Sequence, residues 1–341
     1  MSVNVGIIGL GFMGQMHARC YQAVPGANLV ACSDGQPERR EEFSKQFDCL
    51  ACDTFEELLY HPGLDLVDVC LPTFLHRDHV VRAAEAGKHV LCEKPIALTL
   101  AEADEMLAAT GRMGVKFMVA QVIRFWPEYM AVKRILEGGE LGAVRFVEAR
   151  RLSARPQWSW QGWLMQADKS GGAVVDLHIH DLDLLRWLLG EPQAVFASGV
   201  KSSRGGLDSI ATSLLGLPGG VSAVAVGSLD LAAQYPFCMS LLVNCEGGTL
   251  VLDSGRQPSL VAIKGDAAPE AVPLPAPPVA KAEGIGNVSD LGGYYNEIAY
   301  FVECVAAGKD PQVVTGRDGR EALKLSLAAR ESAESGKIVT L

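Results

Sequence analysis

No stretch of the 341-residue sequence reaches the roughly 18–20 unbroken apolar residues that a bilayer-spanning helix needs. The densest run, residues 174–189, is interrupted by Asp176, His178, His180, Asp181, Asp183 and Arg186. The N-terminus has no basic segment ahead of its short apolar run and no small-residue cleavage site behind it, so it does not read as a signal peptide. Positive charge is in deficit: 30 Lys and Arg face 40 Asp and Glu, for a formal net charge of −10. That balance argues against nucleic acid or an anionic membrane as a partner. Cys49-Leu50-Ala51-Cys52 has no second ligand pair, which favours packing or a short connector over a metal or redox site. Nine cysteines, an odd number scattered through a long chain, fit reduced thiols in a cytoplasmic protein. No internal repeat is visible.

What is present is ample core-forming material: 49% hydrophobic and 21% charged residues. A chain this long, at roughly 150 residues per domain, suggests two domains. In the first third, strand-like runs at residues 3–8, 29–33, 66–70, 89–92 and 116–120 are separated by helix-sized segments. Asp53-Thr54-Phe55-Glu56 and Thr99-Leu100-Ala101-Glu102 both have capping-box form. A repeating strand-then-helix order implies parallel strands joined by crossover helices, because tight turns cannot connect parallel neighbours. After residue 120 the rhythm changes: a helix over 127–136, a strand over 142–151 and a long helix over 174–189. Six strand-like runs follow between residues 194 and 263 without helices between them, then terminal helices near 295–307 and 317–335. The fold class expected is α/β: an N-terminal Rossmann doubly wound parallel sheet over residues 1–122, then an α+β domain over 123–341 with a large, mostly antiparallel open sheet. The Pro- and Ala-rich segment 267–278, running on into 284–293, is expected to be a long loop that covers a site or meets another subunit.

Gly9-Leu10-Gly11-Phe12-Met13-Gly14 stands between the first strand and a helix, and Asp34 closes the second strand twenty positions after Gly14. In that context the glycines let backbone approach a pyrophosphate whose charge meets the positive end of the helix beginning near Phe12. Asp34 suits the adenosine ribose hydroxyls and would repel a 2′-phosphate, so NAD is preferred over NADP. Arg39 and Arg40 lie close enough to receive a phosphate, although a solvated helix face explains them equally well.

Glu93-Lys94-Pro95 follows a strand at the carboxyl edge of the sheet, where ligands of open α/β folds bind. An ammonium fixed there orients a substrate hydroxyl and shares in proton transfer; the plain alternative is a surface lysine in a turn. Asp176 and His180 are four apart on one expected helix and so share a face, where the carboxylate orients the imidazole or the two form a buried polar pair. His178 falls on another stripe, with Leu182, Leu185 and Leu189, and reads as a packed histidine. Side chains two apart on a helix do not converge, so no metal site is expected at His178 and His180.

These pieces, in this order, resemble the Gfo/Idh/MocA family of nicotinamide-dependent oxidoreductases. Leu71-Pro72-Thr73-Phe74-Leu75-His76, the run from Ala86 through Glu93-Lys94-Pro95, and Arg124-Phe125 extend the match. The segment from Asp176 and His180 through Asp183 to Trp187-Leu188-Leu189-Gly190 resembles the inositol 2-dehydrogenase branch. The resemblance implies that Lys94, Asp176 and His180 are catalytic: His180 takes the hydroxyl proton, Asp176 orients it and Lys94 holds the oxygen. It also implies cofactor contacts from Gly9, Gly11, Phe12, Met13, Gly14, Asp34, Leu71, Thr73, His76, Glu93 and Lys94. Lys94, Arg124, Tyr235, Asp176 and His180 are the substrate-side residues it implies, and a homodimer or homotetramer is the expected assembly. Ala173 stands where many members carry a third glycine, and Gln121-Val122-Ile123 replaces the usual Asn-containing approach to Arg124. The activity implied is NAD-dependent oxidation of a cyclic polyol, sugar or sugar derivative, with inositol the first guess. An NAD-dependent glycosidase and a non-catalytic nicotinamide sensor are the alternatives.

Overall fold

The structure is a computed structural model that describes residues 2–156, 159–201, 206–276 and 291–341. Two compact units comprise Met1–Phe125 with Pro277–Arg320, and Trp126–Ala276 with Glu321–Leu341. Much of the segment expected to be a long covering loop, residues 277–290, lies outside the described residues.

In the first unit, strands β1 (Val3–Ile8), β2 (Ala27–Ser33), β3 (Leu50–Ala51), β4 (Leu66–Val69), β5 (His89–Glu93) and β6 (Phe117–Ala120) form one sheet of order β3-β2-β1-β4-β5-β6. Every pairing is parallel. The central strands are buried along nearly their whole length, which is why they read as continuous apolar runs rather than alternating ones. Helices α1 (Phe12–Ala23), α2 (Pro37–Phe47), α3 (Phe55–Leu59), α4 (His76–Glu85) and α5 (Leu100–Met113) connect them. The capping box expected at Thr99 and Glu102 is present on α5. The one at Asp53 is displaced by a residue: Thr54 caps α3 by accepting from the Glu57 N–H, while Asp53 pairs with Arg40 at 2.8 Å. Order 3-2-1-4-5-6 reverses between β1 and β4, the switch point at which doubly wound sheets open a crevice at their carboxyl ends.

In the second unit, α6 (Pro127–Gly138) leads into β7 (Val144–Ala154), followed by α7 (Ala167–Ser170), α8 (Gly172–Asp176) and α9 (Ile179–Leu189). Strands β8 (Ala194–Lys201), β9 (Leu207–Leu215), β10 (Ser222–Leu231), β11 (Cys238–Cys245), β12 (Gly248–Asp253), β13 (Leu260–Lys264), β14 (Glu270–Ala271) and β15 (Val339–Thr340) complete a nine-stranded sheet with β7. Its order is β14-β13-β12-β11-β7-β10-β9-β8-β15, antiparallel except where β10 runs parallel to β7. Of the last two helices, α10 (Gly292–Ala306) belongs to the first unit, and α11 (Gly316–Ser335) precedes β15. The six-strand parallel sheet and the mostly antiparallel second sheet are the fold class read from the sequence.

The single helix expected over residues 174–189 is two helices. The Ala173 carbonyl accepts both Leu177 N (3.1 Å) and His178 N (2.9 Å), so one extra residue enters the turn between α8 and α9. His178 drives this by packing inward, fully buried, with Nε2 3.0 Å from Thr212 Oγ1 and its ring against Gly227, where even a methyl group would collide. Burial and the Arg151 charge push the imidazole down to about 3, so it is a neutral core group. Among the described residues no helix is long and apolar enough to cross a membrane.

Candidate functional site

The carboxyl edge of the parallel sheet gathers the first unit's candidates. β1 runs into the glycine turn, β2 into Asp34, β4 into Thr73 and β5 into Lys94, and β2, β1, β4 and β5 are consecutive neighbours. The three glycines meet three different needs. Gly9 has φ +90°, and a Cβ there would lie 2.6 Å from the Cys70 carbonyl oxygen. At Gly14 a Cβ would run into the Gly9 carbonyl, so the third glycine lets the helix close onto the turn. Gly11 caps α1, and among the described residues a Cβ on it would meet no atom within 4 Å beyond its chain neighbours. That open side leads to the first turn of α1, where the positive end of the helix would face an anion. No acidic side chain stands in that turn. A cradle closed by protein at two glycines and open at the middle one fits a dinucleotide pyrophosphate.

Asp34 is tied to the same cradle. Its Oδ2 accepts the Leu10 N–H at 2.9 Å and its Oδ1 accepts the Gln36 N–H at 2.9 Å. Arg39 lies 3.5 Å from Oδ2, and Arg40 donates to the Asp34 carbonyl at 2.7 Å rather than projecting freely. Both arginines thus face the Asp34 segment.

Beyond β4, Thr73 is buried and its hydroxyl has no partner among the described residues. His76 is fully buried, with Nε2 2.7 Å from the Leu71 carbonyl oxygen and Nδ1 2.9 Å from that of Pro95. It therefore links the turns after β4 and β5, and burial holds its pKa below the usual imidazole range. The Lys94–Pro95 peptide is cis. Lys94 is half-buried, and its backbone N–H donates to Glu93 Oε2 at 3.0 Å. The Glu93 carboxylate itself turns inward. Arg124, expected on the substrate side, is buried and donates to the Val313 carbonyl (2.9 Å) and to Asp318 (3.3 Å). It thereby fixes the turn after β6.

Within the second unit, Asp176 ends α8 and His180 lies in the first turn of α9, on opposite sides of the extra-residue turn at Leu177 and His178. The helix expected to carry both on one face is interrupted between them. α9 is anchored by Asp181, whose two carboxylate oxygens each receive a 3.0 Å hydrogen bond from the buried Arg151 guanidinium on β7. Burial opposes the Arg151 charge, and the Asp181 carboxylate more than restores it. Tyr235, also expected on the substrate side, is exposed in the connection between β10 and β11.

A second polar group in the first unit is not evident from local sequence. His17 on α1, Asp68 on β4, Cys70 just after that strand, Glu93 on β5 and Glu297 on α10 lie together. One signal was available: a histidine three positions after Gly14, on the face of α1 that also buries Ala18 and Tyr21. Ligand-type atoms of His17, Asp68 and Cys70 lie within 4.8 Å of one another, with the imidazole and carboxylate hydrogen-bonded at 2.8 Å. All nine cysteines are free thiols.

Comparison with known proteins extends along most of the chain. Residues 3–121 match the Gfo/Idh/MocA model of an oxidoreductase family with an NAD-binding Rossmann fold, and residues 129–251 match the C-terminal domain model of that family. An inositol 2-dehydrogenase of Rhizobium meliloti is 30% identical, over 99% of this chain and 99% of its own. A D-apiose dehydrogenase of Paraburkholderia graminis is 33% identical, over 98% of this chain and 88% of its own. Among solved structures, an aldose-aldose oxidoreductase of Caulobacter crescentus complexed with glycerol superposes with a TM-score of 0.85 at 27% identity, covering all of both chains.

Proposed function

We propose, from the premise that the chain belongs to the Gfo/Idh/MocA family of NAD-binding oxidoreductases, that it is an NAD-dependent dehydrogenase of a cyclic polyol, sugar or sugar derivative. Inositol is the first candidate, supported by the full-length relative that bears that activity in its name. The observation that carries the reading is the placement of the open glycine cradle, Asp34 and Lys94 at the ends of neighbouring strands of one sheet.

Backbone N–H groups of the turn from Gly9 through Gly14, including Phe12 and Met13, hold the pyrophosphate, and Asp34 holds the adenosine ribose. The Asp34 carboxylate would repel a 2′-phosphate, and the guanidiniums beside it are engaged, Arg39 with that carboxylate and Arg40 with the Asp34 carbonyl and Asp53; both support NAD over NADP. Leu71, Thr73, His76, Glu93 and Lys94 serve the nicotinamide end, a role supported by the contacts that link the turns after β4 and β5. The bound cofactor supplies one thing, a hydride acceptor. His180 removes the hydroxyl proton of the substrate, Asp176 orients the imidazole and Lys94 holds the substrate oxygen, a division of labour that supplies roughly 10²–10⁴ in rate through proton transfer. Tyr235 adds a substrate contact, and Arg124 acts by fixing the turn after β6. Exposed Phe196 and Val200, four apart on β8, support a homodimer or homotetramer.

The test is NADH formation with NAD across inositols, aldoses and uronates, beside an aryl glycoside. Net NADH from a polyol or sugar is the expected result. Leaving-group release without net NADH would assign a transient-oxidation glycosidase, and tight NAD binding without any turnover would assign a sensor.

A further inference from the structure

We propose that His17 is a positioning residue for Lys94, acting through the Glu93 carboxylate that it shares with the backbone of the Lys94 turn. The proposal rests on the role given to Lys94 above. The chain of contacts is short and lies wholly inside the first unit. The His17 ring is fully buried, with Nδ1 2.8 Å from Asp68 Oδ2 and Nε2 3.2 Å from Glu93 Oε1. The first is a hydrogen bond; the second is an ion-pair contact off the N–H axis. The other Glu93 oxygen, Oε2, accepts the Lys94 N–H at 3.0 Å. The next backbone carbonyl of the turn, that of Pro95, is held by His76 at 2.9 Å. Two buried histidines therefore grip the Glu93-Lys94-Pro95 turn, one through a carboxylate and one directly.

A neutral imidazole has one N–H and one lone pair, so flanked by two carboxylates it would turn its lone pair on one of them; the imidazolium donates to Asp68 and sets its positive charge beside Glu93. Burial works against that charge, but the Asp68 carboxylate hydrogen-bonded to the ring raises it well above the usual imidazole range. The remaining groups packed around the ring carry their protons. Burial and the charge of Glu93 push the Glu297 carboxyl well up, and both its oxygens lack partners among the described residues. Burial likewise raises the thiols of Cys20 and Cys70. His17 is thus the cation available to hold Glu93 in place. Buried ion pairs of this kind contribute little net stability compared with apolar packing. What this one adds is a fixed carboxylate at the strand end that presents the lysine.

The test uses the full chain with saturating NAD and four forms: parent, His17→Gln, Glu93→Gln and the double variant. Trace acetylation with acetic anhydride at several pH values, read by peptide mass spectrometry against the other lysines as internal standards, reports the reactivity of the Lys94 amine without any substrate. Each single variant is expected to change Lys94 reactivity at least threefold, with the double no different from the singles and the NAD affinity of His17→Gln within threefold of parent. Turnover on whichever panel substrate yields NADH is expected to fall about tenfold to a hundredfold, the scale of a small displacement at a reacting centre. Glu93→Gln keeps an acceptor for the Lys94 N–H and removes only the charge facing His17, so it answers the question if His17→Gln does not fold. Lys94 reactivity superimposable on parent, or additive effects in the double variant, would overturn the proposal even if thermal stability fell. A parent that oxidises nothing on the panel would defeat the dehydrogenase reading while the labelling still decides the link between His17 and Lys94.

Discussion

Gly9 and Gly11 stand two residues apart in one turn, yet replacing each with alanine should injure different properties. Gly9→Ala must place an L side chain at φ +90° and bring its Cβ to 2.6 Å from the Cys70 carbonyl oxygen and 2.9 Å from the Leu71 nitrogen. These are backbone atoms of the neighbouring strand end and cannot swing aside. The backbone conformation costs about 1–2 kcal/mol and the overlap about 1–3 kcal/mol, so roughly 2–5 kcal/mol in all. At about 2–4 °C per kcal/mol for a unit of this size, thermal unfolding should fall by roughly 4–20 °C. Gly11→Ala forfeits only a favourable cap residue, about 1 kcal/mol, because among the described residues its Cβ meets no atom within 4 Å beyond its chain neighbours. The methyl group instead occupies the side from which a pyrophosphate approaches, so the NAD dissociation constant should rise at least tenfold, about 1.4 kcal/mol. Differential scanning fluorimetry and calorimetric NAD titration on both variants separate the two effects. Parental NAD affinity in Gly11→Ala, or a loss of stability equal to that of Gly9→Ala, would refute the cradle.

Asp34→Ser should raise the Michaelis constant for NAD while leaving that for NADP unchanged or lower; an unaltered NAD to NADP ratio of kcat/KM would remove Asp34 from cofactor choice. His180→Ala should cut turnover by about a hundredfold or more with NAD binding little changed, and near-parental turnover in stopped-flow assays would exclude it as the base. His178 makes stability pH-dependent. Its folded pKa near 3 lies below the unfolded value of 6.5, so its stabilising effect is complete above pH 6.5 and is lost as pH falls toward 3. At pH 5 the loss is about 2 kcal/mol, read as a lower urea midpoint that His178→Gln should make less sensitive to pH.

Local signals carried the cofactor half of the account. Glycine spacing, a carboxylate at the end of β2 and a lysine after β5 are chain-local features, and apolar strands buried on both faces announce themselves without knowledge of their neighbours. The break between α8 and α9 was not legible, because neither glycine nor proline marks it. It arises from a distant pocket, lined by Thr212 and Gly227, that draws His178 inward. Arg151 and Asp181 escaped for the same reason: 30 residues apart, they look like ordinary strand and helix charges until β7 and α9 meet. His17 and Glu297 are 280 positions apart in sequence, and only the packing of α10 beside α1 makes them one buried group. The two-residue strands β3, β14 and β15 are too short for any alternating pattern to register.

The most direct measurement follows a labelled hydrogen. A panel substrate that yields NADH is prepared with deuterium on its carbinol carbon, and the reduced cofactor is recovered after turnover and examined by proton NMR. Deuterium at nicotinamide C4 in stoichiometric amount is the predicted result. Protium there, or label returned to solvent, would contradict oxidation by direct transfer from the carbinol.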